Sequence, residues 1–112
     1  MSYKYFKPNE IISLDPELCA MLDEARGHAG VRFVITSGYR TKEKNEEVGG
    51  TENSSHLLGL AVDIACTESQ ERLRIIIGLI LAGFKRIGIA RDHVHCDIDR
   101  EKAQEVLFLE YA

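Results

Sequence analysis

The chain has no tryptophan and only two prolines and three cysteines in 112 residues, and each scarcity removes a class of protein. Pro8 and Pro16 lie close together near the start, so no proline-rich linker or low-complexity tract divides the chain. An odd number of cysteines, Cys19, Cys66 and Cys96, with no CxxC spacing, points away from a disulfide framework and from a thiolate zinc site. They read as reduced, buried thiols. The longest apolar run, IIIGLILAGF at 75–84, is about half of the roughly 20 residues that a membrane span needs. No signal-peptide pattern precedes residue 30, and the chain as given reads as soluble. Nor is there an excess of positive charge. A formal net charge of −4 with scattered Lys and Arg offers no footprint for phosphates, and no nucleic-acid partner is expected.

What is present is enough apolar residue for one core. At 45% apolar, the chain fits a single domain over 1–112 and is too short for two. In LDPELCAMLDEARGHAG, Asp15 is placed as an N-cap with Pro16 at the first helical position. Leu18, Met21, Leu22 and Ala25 then make one stripe of a helix ending near Gly27 or Gly30. VRFVITS, 31–37, is β-branched and predicts a strand, and a short helix follows Thr41 until Gly49 and Gly50. TESQ at 67–70 reads as a capping box. It precedes Leu73, Ile76, Ile77, Ile80 and Leu81 at helical spacing, with Gly83 as the stop. KRIGIA and HVHCDI predict two strands joined at Arg91 and Asp92, and a final amphipathic helix capped by Asp99 is expected through Val106 and Leu107. The fold class is α+β, a small antiparallel sheet with flanking helices.

Strand parity carries the chemistry. In 60–65, Leu60, Val62 and Ile64 point one way and Ala61, Asp63 and Ala65 the other. In HVHCDI, His93, His95 and Asp97 share a polar face while Val94, Cys96 and Ile98 share an apolar one. A charge in a buried strand costs several kcal/mol unless it is paired or bound to metal, so Asp63 needs a partner. If the two polar faces come together, Gly88 and Ala90 leave open space above them, over a cleft floored by His56, Asp63 and His95. Two imidazoles and one carboxylate suit Zn²⁺ in its catalytic form, with water in the fourth position. The net positive site lowers the pKa of that water toward about 7, and hydrolysis is the natural consequence. The bland alternative is a solvated face. A lone HxH, or a His followed seven residues later by Asp, is weak by itself, and the coexistence of the two is what raises the metal reading.

These residues bring the chain close to a known family. SGYRT (37–41), Asn45 with VGG (48–50), NSSHLLGLAVDI (53–64) and HVHCDID (93–99) resemble the zinc D-Ala-D-Ala peptidases of the M15 family, which share a fold with the Hedgehog signalling domain. The resemblance implies one zinc per chain on His56, Asp63 and His95, the three residues reached by parity. It also implies Asp92, three residues before the last ligand, as the acid or base. That role needs a bend at Arg91 and Asp92, since in a continuous strand Asp92 faces away from His95. Arg40 matches the arginine that contacts the substrate carbonyl or carboxylate. Ser54 is similar to a substrate-binding serine, with an ST-turn as the alternative. His93 faces the site for hydrogen bonding to a ligand or for oxyanion stabilisation, and Asp97 orients a ligand or caps a neighbour.

The implied activity is hydrolysis of peptidoglycan stem peptides, either D-Ala-D-Ala carboxypeptidase-like or, as in phage endolysins, at the L-Ala-D-Glu bond. The competing class is a zinc-containing binding module that does not cleave, and the presence of Asp92 and Arg40 favours the enzyme. A monomer is expected. Without a signal peptide, the origin is a phage-type enzyme made in the cytoplasm and released by a holin, or an exported protein that has been trimmed.

Overall fold

Helix and strand formation follows the local signals through most of the chain, and a computed structural model describes residues 2–110. Helix α1 spans Pro16–Ala29. The Asp15 side chain accepts from the Glu17 amide, Pro16 opens the first turn, and Gly30 ends the helix in the left-handed region at φ 70°. That combination is an N-cap, a proline with no amide to lose, and a C-terminal glycine. Strand β1 is Ile35–Ser37, shorter than the 31–37 that its composition suggests. Helix α2, Lys42–Glu47, starts at Thr41, whose side chain accepts from the Lys44 amide. Strand β2 is Ala61–Ala65, helix α3 Ser69–Leu81, β3 Arg86–Ile89, β4 His93–Asp97 and β5 Val106–Leu109.

The five strands form one sheet in the order β1-β2-β4-β3-β5. Every neighbouring pair is antiparallel except β3 and β5, which run parallel. One face of the sheet is apolar and is covered by the two long helices. Leu18 and Leu22 of α1, Ile75 and Leu79 of α3, and Val62, Ile64, Val94 and Cys96 of the sheet belong to a single buried cluster. Each fully buried aliphatic side chain contributes about 1.5–3 kcal/mol, so this cluster outweighs any polar contact in the molecule. The opposite face carries the site.

Three local expectations fail, each for a physical reason. Among the described residues the final helix is absent. Asp99 does accept from the Glu101 amide, but the turn does not propagate, and Glu105 takes φ 60° as the chain reverses into β5. The open edge of β3 decides the outcome, because a β-rich VLFL satisfies its backbone groups against Arg86–Ile89 and a lone short helix cannot. The proposed capping box lies one residue out of register: α3 is preceded by Glu68, which makes no side-chain cap. Finally, α3 buries Ile75, Gly78 and Leu79, while Leu73, Ile77, Ile80 and Leu81 are exposed. A segment apolar on almost every side has no unique stripe, and Gly78 selects the buried face by close approach. A Cβ there would lie 2.5 Å from the Ala25 carbonyl oxygen and 2.8 Å from the Ala29 Cβ.

Candidate active site

The register of β2 and β4 places the polar side chains together. Asp63 lies opposite His95, Ala65 opposite His93 and Ala61 opposite Asp97, so all six share one face of the sheet. His56 sits ahead of β2 on a 3₁₀ turn, Ser55–Leu58. Ser54 caps that turn by accepting from the His56 amide at 3.2 Å. Gly59 then returns the chain to β2 at φ 71°, where a Cβ would lie 2.5 Å from the Ser13 carbonyl oxygen. The serine, histidine and glycine of SxHxxG are thus a cap, a presented ring and a turn that no side chain fits.

The inner atoms of three side chains converge. His56 Nε2 lies 3.4 Å from Asp63 Oδ1, and His95 Nδ1 lies 3.0 Å from the same oxygen. The outer nitrogens are committed elsewhere. His56 Nδ1 donates to the Gly38 carbonyl at 2.7 Å, because a carbonyl can only accept. His95 Nε2 donates to Asp97 Oδ2 at 2.7 Å. Asp97 is held in turn by the Arg86 guanidinium at 2.8 Å and by the Asp99 amide at 3.0 Å. Each imidazole therefore turns its free ring nitrogen toward a carboxylate, and fixing the tautomer from outside in this way is how metal-binding histidines are oriented. The spacing fits as well. Donors bonded to zinc at about 2.0–2.1 Å are about 3.3 Å apart along a tetrahedral edge. His56, Asp63 and His95 form a group that could hold a metal ion.

The electrostatics agree. Burial works against the charged form of Asp63, but hydrogen bonds from His56 and His95 overcome it and hold the carboxyl well below the usual range. Burial also disfavours a charged His95 ring, yet the carboxylates of Asp63 and Asp97 outweigh it and raise the pKa to about 9 in the metal-free protein. A buried ring that strained toward carrying a proton is a place where a dication can substitute for it.

Arg40 is not a surface arginine. It is nearly buried, with Nε on the Ser37 hydroxyl at 3.0 Å, Nη1 on the Asn45 side-chain oxygen at 3.2 Å and Nη2 3.5 Å from Asp63 Oδ2. Gly50 makes room for this packing, since a Cβ there would lie 2.0 Å from the Asn45 oxygen and 3.1 Å from Arg40 Nη1. The chain does bend at Arg91 and Asp92, between β3 and β4. Asp92 is on the cleft but largely exposed, and its Oδ1 lies 2.8 Å from His93 Nδ1. The hydrogen bond with His93 lowers its carboxyl pKa.

Three contributors escape sequence reading. Arg72 of α3 places Nη2 2.8 Å from the Arg91 carbonyl and 3.2 Å from those of Ala90 and Cys66, which ties down the turn carrying Asp92. Phe108 arrives on β5 and Glu110 directly after it. The space above Gly88 is not open. A Cβ there would lie 2.5 Å from Phe108 Cε2, and the Phe108 ring stands 5.8 Å from that of His95. Glu110 Oε2 is 2.9 Å from His93 Nε2, and its Oε1 is 3.5 Å from His95 Nδ1. The resulting cleft, about 1150 Å³, runs across the polar face from Gly49, Gly50 and Thr51 to Leu109 and Glu110.

The sequence model of the Peptidase M15 family matches residues 4–97. The chain belongs to the peptidase M15 family. This M15 peptidase also shares its fold with the crystal structure of the Serratia marcescens L-Ala D-Glu endopeptidase ChiX. The TM-score is 0.65 at 19% sequence identity, over 83% of this chain and 86% of that one. No curated protein matches it. The family match ends at the last residue of β4, so β5 of this M15 chain, with Phe108, lies beyond it, as does Glu110.

Proposed function

We propose that this M15 peptidase hydrolyses peptide bonds in the stem peptides of bacterial peptidoglycan as a monomer, with one zinc ion held by His56, Asp63 and His95. The observation that carries the reading is the convergence of two tautomer-fixed imidazoles and one carboxylate at the spacing of a tetrahedral edge. Zinc, when bound, supplies Lewis-acid polarisation and a water acidified toward neutrality. The chain's own residues do the rest. Asp92 takes a proton from the attacking water and returns it to the leaving amine. Arg40, held by Ser37 and Asn45, offers its guanidinium to the negative charge that develops on the scissile carbonyl oxygen. Ser54 and His93 line the cleft and position the peptide through hydrogen bonds.

The cleft continues to both sides of the three ligands, toward the loop after α2 and toward β5, which favours an internal bond with peptide on either side. The fold shared with a protein described as an L-Ala D-Glu endopeptidase supports the same choice. Removal of a terminal D-Ala is the second reading, supported by an arginine suited to a free carboxylate. Digestion of purified peptidoglycan followed by mass spectrometry of the fragments tests both. Release of free D-Ala identifies a carboxypeptidase, and cleavage between L-Ala and D-Glu identifies the endopeptidase. Finding neither free D-Ala nor any cleaved stem peptide after incubation with the zinc-loaded protein would return the domain to the class of binding modules.

A further inference from the structure

We propose that His93, Glu110 and the outer oxygen of Asp63 form a second site for a divalent transition-metal ion, weaker than the site on His56, Asp63 and His95 and sharing Asp63 with it. One donor atom from each of Asp63, His93 and Glu110 lies within 4.8 Å of the others. His93 Nε2 is 2.9 Å from Glu110 Oε2 and 3.9 Å from Asp63 Oδ2. The two oxygens of Asp63 divide the work: Oδ1 faces His56 and His95, while Oδ2 faces His93 and Arg40. A carboxylate presented in this way can bridge two ions.

The orientation of His93 is the second, independent observation. Its Nδ1 lies 2.8 Å from Asp92 Oδ1, so an ion at Nε2 leaves a proton on the outer nitrogen for Asp92 to accept. His95 with Asp97, and His56 with the Gly38 carbonyl, are held in the same manner. An outer acceptor that fixes the ring and raises its basicity accompanies metal-binding histidines generally. One imidazole and two carboxylates suit zinc and its first-row neighbours.

Two features make the site the weaker one. Arg40 Nη2, 3.5 Å from Asp63 Oδ2, repels a second dication. Glu110 is also about one-third exposed, with 31% of its side chain accessible, so its charge is screened by solvent. The ion would stand in the cleft against His93, where the peptide is positioned, and excess metal therefore inhibits cleavage. Glu110, just after β5, lies beyond the stretch that matches the family.

The inference rests on the zinc reading above, and counting ions separates the two. Equilibrium dialysis against increasing Zn²⁺, with elemental analysis of the full chain, should give two ions per wild-type chain, one tight and one weaker, and one ion in Glu110→Gln. Stem-peptide cleavage by the wild type should peak near one equivalent and decline with more zinc. In Glu110→Gln the inhibitory concentration should rise by at least the roughly 10–100-fold that loss of a supporting partner costs a metal site. Saturation of the wild type at one ion overturns the second site and leaves the peptidase reading standing. Saturation at none overturns both. Two ions in both proteins removes Glu110 from the site.

Discussion

Asp92 illustrates how little of a residue's role its resting contacts display. Its carboxylate is 80% exposed and rests on His93, and the hydrogen bond from that ring moves its pKa further below the ordinary carboxylate value. An ionised carboxylate on the cleft can accept a proton, whereas an amide of the same shape cannot. Asp92→Asn should therefore slow cleavage by about 10²–10⁴ while the protein retains its zinc, measured by kinetics and elemental analysis on one preparation. Near-normal turnover would pass the role to His93. The shared face of Asp63, His93, His95 and Asp97 was legible from the alternation of strands, because period two leaves them no choice once Val62, Ile64, Val94 and Cys96 are in the core, whereas His56, on a 3₁₀ turn, lies outside that alternation. Arg40 could be found only by motif. Its burial depends on Asn45 and on the missing side chain of Gly50, contacts that no periodicity announces.

At the scale of elements, the β3–β4 turn and the α1–α3 interface make separate demands. The turn presents Asp92, and Arg72 anchors it from α3 through three carbonyls. Arg72→Ala should release the turn and lower kcat far more than it changes zinc content, since His56, Asp63 and His95 lie on other segments. Equal loss of zinc and of kcat would show that Arg72 supports the sheet as a whole. At Gly78, alanine gains about 1 kcal/mol in helix propensity, but its Cβ would meet the α1 backbone at 2.5 Å. Overpacking of that kind costs about 1–3 kcal/mol, so Gly78→Ala should be neutral to destabilising by up to about 2 kcal/mol in chemical denaturation. A stabilised variant would mean that the helices part easily. The sequence placed α3 correctly and mistook its face, and it read β5 as helix. Both errors have one source. Short apolar segments such as IIIGLIL and VLFL carry no period of their own, and their state is set by a partner far away in the chain, α1 in one case and the edge of β3 in the other.

At the scale of the whole molecule, the zinc proposed for this site would be coupled to acidity. In the metal-free protein His95 titrates at about 9 against an ordinary value of 6.5, so the charged ring stabilises the fold below about pH 6.5, and that contribution is lost as pH rises through 9. Asp63, whose pKa is depressed, acts at the other end: its contribution is present above the usual carboxylate range and fades as pH falls. Metal binding needs the same imidazoles unprotonated. The gap in melting temperature between zinc-loaded and chelator-treated protein should therefore widen from pH 6.5 to 9, followed by calorimetry. A gap independent of pH would place the metal elsewhere.

The pairing of β2 with β4 has a kinetic meaning too. His56 and Asp63 are neighbours in the chain, but His95 reaches Asp63 only across a separation of 32 residues. Closing that loop is among the slower events in a small domain, because the entropy is lost before the contacts form. A partly folded chain can offer two donors but not three. In a stopped-flow refolding experiment with a zinc-sensitive dye, tight uptake should follow the final phase of refolding and not the earlier formation of helices, so that the ion serves as a clock marking the moment the sheet is complete.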